Sequence, residues 1–175
     1  MRILLNRFAG AADAFNEYLG RALSYFLPVM VTITLVIIIC ATVFRIGWVW
    51  LQETVTYMHA ILFTLAAAYT LRHDEHVRMD VFYIGLSKKN KAWVNLCGVL
   101  FMLTPTCIVT IFYAVPYVRD SWSVFEHSME GDGLPAVFLL KTCIPIMAAL
   151  LLLQGAAIAA KALLIIFPPT IANTD

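Results

Sequence analysis

Val29-Met30-Val31-Thr32-Ile33-Thr34-Leu35-Val36-Ile37-Ile38-Ile39 contains no charge, no glycine and no proline, and its apolar residues run on without alternation. The charge-free stretch around it covers residues 22–44, 23 positions between Arg21 and Arg45. A helix needs about 20 apolar residues to cross a bilayer. Hydrocarbon offers the backbone no partners, so a continuous apolar run must pair its own amides, as a helix does. The run is too long for the core of a secretory leader, and no small-residue cleavage site follows it. It reads as an uncleaved signal anchor.

Three further runs repeat the pattern. Residues 54–71 give 18 charge-free positions, and residues 92–118 give 27, interrupted by Pro105 and Pro116. The last run begins at Leu134, contains Lys141, and continues uncharged from Thr142 to Ala160, 19 positions. Composition agrees: apolar residues are 62% of the chain and charged ones 13%, against roughly 45–50% and about 25% in soluble domains. A soluble fold of 175 residues cannot hide that much hydrocarbon. The expected fold is all-α integral membrane, one domain over residues 1–175, with four transmembrane helices at 22–44, 54–71, 92–118 and 134–160.

Lys and Arg set the orientation. Arg2, Arg7 and Arg21 precede the first span, Arg72, Arg78, Lys88, Lys89 and Lys91 lie between the second and third, and Lys161 follows the fourth. The opposite side holds Arg45, Arg119 and Lys141. Positive charge accumulates on the cytoplasmic side, so both termini are expected in the cytoplasm. The loop from Arg119 to Pro135, with Asp120, Glu126, Glu130 and Asp132, then faces outward.

Two segments read as interfacial. Residues 1–21 place Leu4, Phe8, Ala11, Phe15 and Leu19 on one helical face, and Arg2, Asn6, Asp13 and Glu17 on the other. That pattern suits an amphipathic helix in the phospholipid headgroup layer. The short segment Met79 to Leu86 is apolar but cannot span; it ends at Ser87, a helix cap before Lys88 and Lys89. Trp48 and Trp50, and Trp93 at the other side, match interfacial aromatic anchors.

Chemistry-bearing groups inside the spans are scarce. His59 is the one titratable residue clearly within a run, and reads either as a proton or metal site or as a packing residue. Cys40, Cys97, Cys107 and Cys143 form no CxxC and no metal spacing. Haem ligation would need paired axial histidines inside the helices, and a disulfide oxidase would need a reactive cysteine pair on the outer side. Small residues instead mark packing faces. Ala60, Thr64 and Ala67-Ala68 are read as sharing a face with Glu53 and Thr56-Tyr57, while Gly155 with Ala159 and Ala156 with Ala160 repeat a small-xxx-small spacing. No catalytic, cofactor-binding or metal-ligating residue is assigned, and nothing in the charge distribution suggests nucleic acid.

Three local patterns carry a resemblance. They are Trp50-Leu51-Gln52-Glu53 opening the second span, Ala66-Ala67-Ala68 through Arg72 to His76-Val77-Arg78-Met79-Asp80, and Gly133-Leu134-Pro135 followed by Lys141 and Pro145. In order and spacing the chain resembles the DctQ-like small membrane subunit of tripartite ATP-independent periplasmic (TRAP) transporters over nearly its whole length. The family often has two adjacent acids where this chain has Gln52-Glu53.

The resemblance implies a non-enzymatic subunit beside a large polytopic membrane subunit, which carries the sodium and substrate sites and works as an elevator. A periplasmic substrate-binding protein delivers a small organic anion of the carboxylate class. The structural and interface candidates are Trp50, Glu53, Arg72, His76, Asp80, Gly133, Pro135, Gly155 and Ala156. Glu53 is expected to contact Tyr57 or the partner, or else to cap its helix in water. Arg72, His76 and Asp80 fall at i, i+4 and i+8 and either fix the turn out of the second span or anchor to headgroups. Glu126, His127, Glu130 and Asp132 read as a solvated acidic loop and as the first candidate for touching the binding protein. Asp132-Gly133 reads as a turn and Pro135 as an early helix position. The rivals are a self-contained homo-oligomeric transporter and a membrane enzyme subunit using His59 or the His73 and His76 pair.

Overall fold

The computed structural model describes residues 2–73 and 85–167, and every regular element among them is helical. Helix α1 (Arg2–Ser24) is separated only by Tyr25 from α2 (Phe26–Ile39), which continues through a π-helical turn, Cys40–Phe44. The chain leaves that turn at Arg45 in a left-handed conformation, φ 56°. Helix α3 (Val49–Leu65) passes through Ala66 into α4 (Ala67–Arg72). Ala66 N–H donates to Leu62 O and Thr70 N–H to Ala66 O, both at 3.0 Å, so the two form one rod. Helix α5 (Lys88–Gly98), a second π turn (Val99–Leu103) and α6 (Thr104–Ser123) form the next rod, and α7 (Val137–Ile166) the last.

Four stretches are long and apolar enough to cross a membrane: Arg2–Phe44, Val49–Arg72, Lys88–Ser123 and Val137–Ile166. The chain is a multi-pass membrane protein. The rods overrun the charge-free runs at most ends, because Lys and Arg on a terminal turn can reach water without ending the helix. Ser87 caps α5, its hydroxyl accepting from Asn90 N–H at 3.3 Å. The segment Met79 to Leu86 lies largely outside the described residues.

Local chemistry explains the second π turn. Pro105 has no N–H, and in a regular helix its ring presses on the carbonyl four residues earlier. The widened turn just before it relieves that contact, and Thr104 Oγ1 donates to Val99 O at 2.8 Å. At α7 the expectation for Pro135 is corrected. The helix begins at Val137, after Ala136, so Pro135 stands two residues ahead of it rather than in its first turn. Glu53 holds the preceding backbone in the loop, as described below.

Helix α7 is the axis of the bundle: α1, α3, α4, α5 and α6 all pack against it. Its contact surface is mostly small. Ala157 and Ala160 meet Ala9 and Ala12 of α1, and Ala162 with Ile166 meets Ala92 and Leu96 of α5. Cys107, Ala114 and Ser121, seven residues apart, are the buried side of α6. Where lipid removes the hydrophobic drive, such close backbone approach supplies the dispersion energy of association. Gly155 marks a point of close approach, since a Cβ there would come to 2.5 Å from Leu103 Cδ2. Gly20 likewise lies under the Tyr69 ring.

The two members of the second small-residue repeat therefore do different things. Gly155 and Ala160 are used inside the chain, whereas Ala156 is exposed. Helix α2 stands apart: none of its residues is buried, and it leans on α3 and α1.

Gly155→Leu should force Leu103 from its place and cost about 1–3 kcal/mol, the range for overpacking a filled core. Ala156→Leu should change stability by less than about 0.5 kcal/mol. Thermal unfolding of both variants in one detergent checks the contrast.

Candidate functional site

The polar side chains gather at the two ends of α7, in two clusters. The first is built on Glu53, in the first turns of α3. Its Oε1 accepts from Ser128 Oγ, and its Oε2 accepts from Leu134 N–H at 2.5 Å. The loop is folded to meet it: Ser128 N–H donates to Leu134 O at 3.3 Å, and Gly133 N–H to Glu130 O at 3.0 Å. Gly133 has to be a glycine at this contact, because a Cβ would sit 2.7 Å from Glu53 Oε2 and 2.5 Å from Ser128. Asp132-Gly133 thus forms part of a turn. Glu53 does not bond Tyr57; it ties the loop from Ser128 to Leu134 to α3. The Tyr57 hydroxyl is buried with no hydrogen-bond partner.

Beside that tie, Glu126 accepts from Lys141 Nζ at 2.5 Å and from Ser121 Oγ at 2.6 Å. Lys141 also lies over the Tyr117 ring, 4.1 Å from its centroid. Trp122 donates its indole N–H to Thr142 Oγ1 at 3.0 Å, and its ring packs edgewise on Phe138. The hydrogen bond from Lys141, helped by Ser121, holds the Glu126 carboxyl below the usual carboxylate range. The lysine inside the fourth span is thereby paired within the chain, while His127, Glu130 and Asp132 are exposed.

The second cluster joins α1 to α7 and α4. Asn16 Nδ2 donates to Gln154 Oε1 at 2.7 Å, and Gln154 Nε2 donates to Asp13 Oδ1 at 3.0 Å. Lys161 Nζ donates to the other oxygen of Asp13 at 2.5 Å. One turn along α1, Glu17 accepts from Arg72 and from Arg21 Nε at 2.7 Å, and His73 Nε2 lies 2.9 Å from it. Asn16 and Gln154 are each only 1% exposed. Helix α1 thus turns its polar stripe toward protein and leaves Leu4, Phe8 and Phe15 on the outside.

Of the residues singled out by sequence, the structure brings Glu53 together with Gly133 and pairs Arg72 with Glu17. Trp50 is exposed at the start of α3, Gly155 packs on Leu103, and Ala156 faces outward. His76 and Asp80 lie outside the described residues. Sequence reasoning missed Asn16, Ser128 and Gln154. A lone amide in the apolar run of α7, seven residues before Lys161, was the available signal. His59 is exposed on α3, stacked near Phe63 at 6.4 Å, with no hydrogen bond among the described residues. Among those residues no group of three or more His, Cys, Asp or Glu could hold a metal ion.

Chemically these clusters close the chain on itself, tying the loop ahead of α7 to α3 and α6 and tying α1 to α7.

Glu53→Ala should strip Ser128 and the Leu134 amide of their acceptor, at a cost of about 1–3 kcal/mol for groups left unsatisfied. Gly133→Ala should act in the same direction. Faster proteolysis between Ser128 and Leu134 is the readout. Because Glu126 is held below its ordinary value of 4.5, its pairing should persist above that pH and fail only as pH falls below it. Loop protection should therefore drop in acid, and Glu126→Gln should remove that dependence.

Two comparisons with known proteins return nothing and one is positive. The family model for the DctQ component of tripartite ATP-independent periplasmic transporters matches residues 12–164. No curated protein and no solved structure matches the chain.

Proposed function

The chain belongs to the DctQ family, the small membrane subunit of TRAP transporters, and we propose that it braces the scaffold of the large elevator-type subunit. The family is a transporter component rather than a known enzyme family, and a tripartite transporter supplies the two partners, a large membrane subunit and a periplasmic binding protein. In this reading the transported solute is a small organic anion of the carboxylate class, its uptake is coupled to sodium, and both the sodium and the solute sit on the large subunit. The protein resides in the bacterial inner membrane with both termini in the cytoplasm, in contact with phospholipid headgroups.

One observation carries the bracing role. The charged and amide side chains at the two ends of α7 are engaged with one another inside this chain: Glu53 with Ser128 and Leu134, Lys141 with Glu126, Asp13 with Gln154 and Lys161. Between Lys141 and Gln154 the buried side chains of α7 are Cys143, Ala148 and Leu150, and alanines and Gly155 pack around and beyond Gln154. A solute pathway needs polar groups free to exchange partners with the solute. Groups already locked to neighbours make a stiff wall instead. In an elevator, one domain slides while another stays fixed, and a stiff helical unit enlarges the fixed part. The outer loop, tied down by Glu53 and Glu126, presents Met129, Glu130 and Asp132 outward and is the surface assigned to the periplasmic binding protein.

Purification in mild detergent should bring down a much larger polytopic membrane protein in about equal amount. The chain alone in proteoliposomes should carry no solute, and uptake should appear only with the large subunit and binding protein added. Transport by this chain alone would overturn the reading in favour of a self-contained homo-oligomeric carrier.

A further inference from the structure

Helix α3 has two faces with opposite fates. One carries Glu53, Tyr57, Ala60, Thr64 and Ala68 toward the bundle. The other carries Gln52, Thr56, His59 and Phe63, all exposed, at spacings of four, three and four residues. These four lie within about 60° of one another on a helix of 3.6 residues per turn. The rod Val49–Arg72 has 24 residues, so it is about 36 Å long, and His59 stands about 15 Å from its outer end. That is near mid-depth of a hydrocarbon layer about 30 Å thick.

The imidazole there is an anomaly. Thr56 satisfies its own hydroxyl by donating to Gln52 O at 3.3 Å, and Gln52 is close enough to the outer end to reach water. His59 has neither recourse: lipid tails accept no hydrogen bond, and no described residue does so either. Polar groups at this depth ordinarily face protein or a water-filled cavity. The other outward faces contrast with it. Exposed positions of α6 include Ile108, Val109, Phe112, Tyr113 and Val115, with Thr106 satisfied by Met102 O, and those of α7 include Leu139 and Ile146. They suit lipid.

A second observation adjoins the first. Met30, Thr34 and Ile38 of α2 and Val55 of α3 line an open, almost wholly apolar groove, and Val55 is one turn from His59. Helix α2 buries none of its residues. The groove runs along α2 and meets α3 at Val55, so the stripe carrying His59 lies beside it on α3 and not in its lining.

The geometry points to this α2–α3 surface as the docking site for a transmembrane helix of the large subunit, one that presents a hydrogen-bonding side chain to His59. The inference rests on the scaffold reading above and deepens it by naming the face. A helix laid along the groove covers the bare side of α2, and a polar side chain opposite His59 fixes its depth and rotation. Lipid fits the apolar groove but leaves the imidazole unmatched, and it does not account for the stripe.

The test uses the intact complex. A photoreactive benzophenone amino acid is installed at position 59 or 63, and at position 109 or 112 of α6 as the comparison, in chains co-expressed with the large subunit. Irradiation should give a covalent adduct with the large subunit from positions 59 and 63 only. In parallel, His59→Leu should lower recovery of the large subunit after detergent dilution about threefold to tenfold, the effect of losing one interhelical hydrogen bond. His59→Gln should restore most of it. Adducts arising only from 109 or 112 overturn the assignment, as do adducts between two copies of this chain, or a large subunit that co-purifies fully but never cross-links at 59 or 63. Unchanged recovery with His59→Leu overturns the hydrogen-bonded contact. If the wild-type chain brings down no large membrane protein at all, the scaffold reading itself fails, and this surface with it.

Discussion

Hydrocarbon accepts and donates no hydrogen bonds, and this constraint governs where each polar side chain of the molecule ends up. Gln154 shows it most directly. It sits in the last helix with apolar neighbours on all sides, and its amide is satisfied only because α1 brings Asn16 and Asp13 to it. Asp13 in turn is matched by Lys161. Remove that series of contacts and α1 has no polar reason to lie against α7. The alanine contacts between Ala9, Ala12, Ala157 and Ala160 then become the whole of the attachment. Because these small residues permit close approach, the amides can meet across the interface. Packing and polar matching depend on each other here.

The same logic operates at the start of α7 with different parts. A carboxylate at the start of α3 reaches the backbone of a loop about 80 residues later, and a lysine in the first turns of α7 reaches back to Glu126. Both contacts join the loop to helices. The result is a bundle with one central helix, fastened by polar contacts ahead of and within α7 and packed closely through small residues.

The spans were legible in the sequence because their signal is local: a run without charge, bounded by Lys, Arg or Glu. The helical character of residues 2–24 was legible for the same reason, from the three-to-four recurrence of Leu4, Phe8 and Phe15. What α1 does with its polar stripe was not legible, since Asp13 and Lys161 are 148 positions apart and no spacing rule links them. Glu53 shows the same limit; its nearest candidate was Tyr57 one turn away, yet its partners are Ser128 and Leu134. Helix ends were misplaced by a few residues where charged side chains continue a helix into the headgroup layer. Pro135 misled because the loop ahead of it is held by a distant carboxylate, not by its own turn chemistry. His59 was visible as an oddity, but only three dimensions show that it faces away from its own bundle.

The joining of α1 to α7 also sets an order of events during synthesis. Translation runs from α1 to α7, so α1 and α2 enter the membrane region while Gln154 and Lys161 do not yet exist. Until α7 emerges, Asp13 and Asn16 lack the Gln154 and Lys161 they meet in the finished chain, whereas Glu17 already has Arg21 on its own helix and Arg72 and His73 ahead of it. The arrival of α7 is therefore the step that completes the docking of the first helix, and a nascent chain halted before residue 154 carries that helix with Asp13 and Asn16 unmatched.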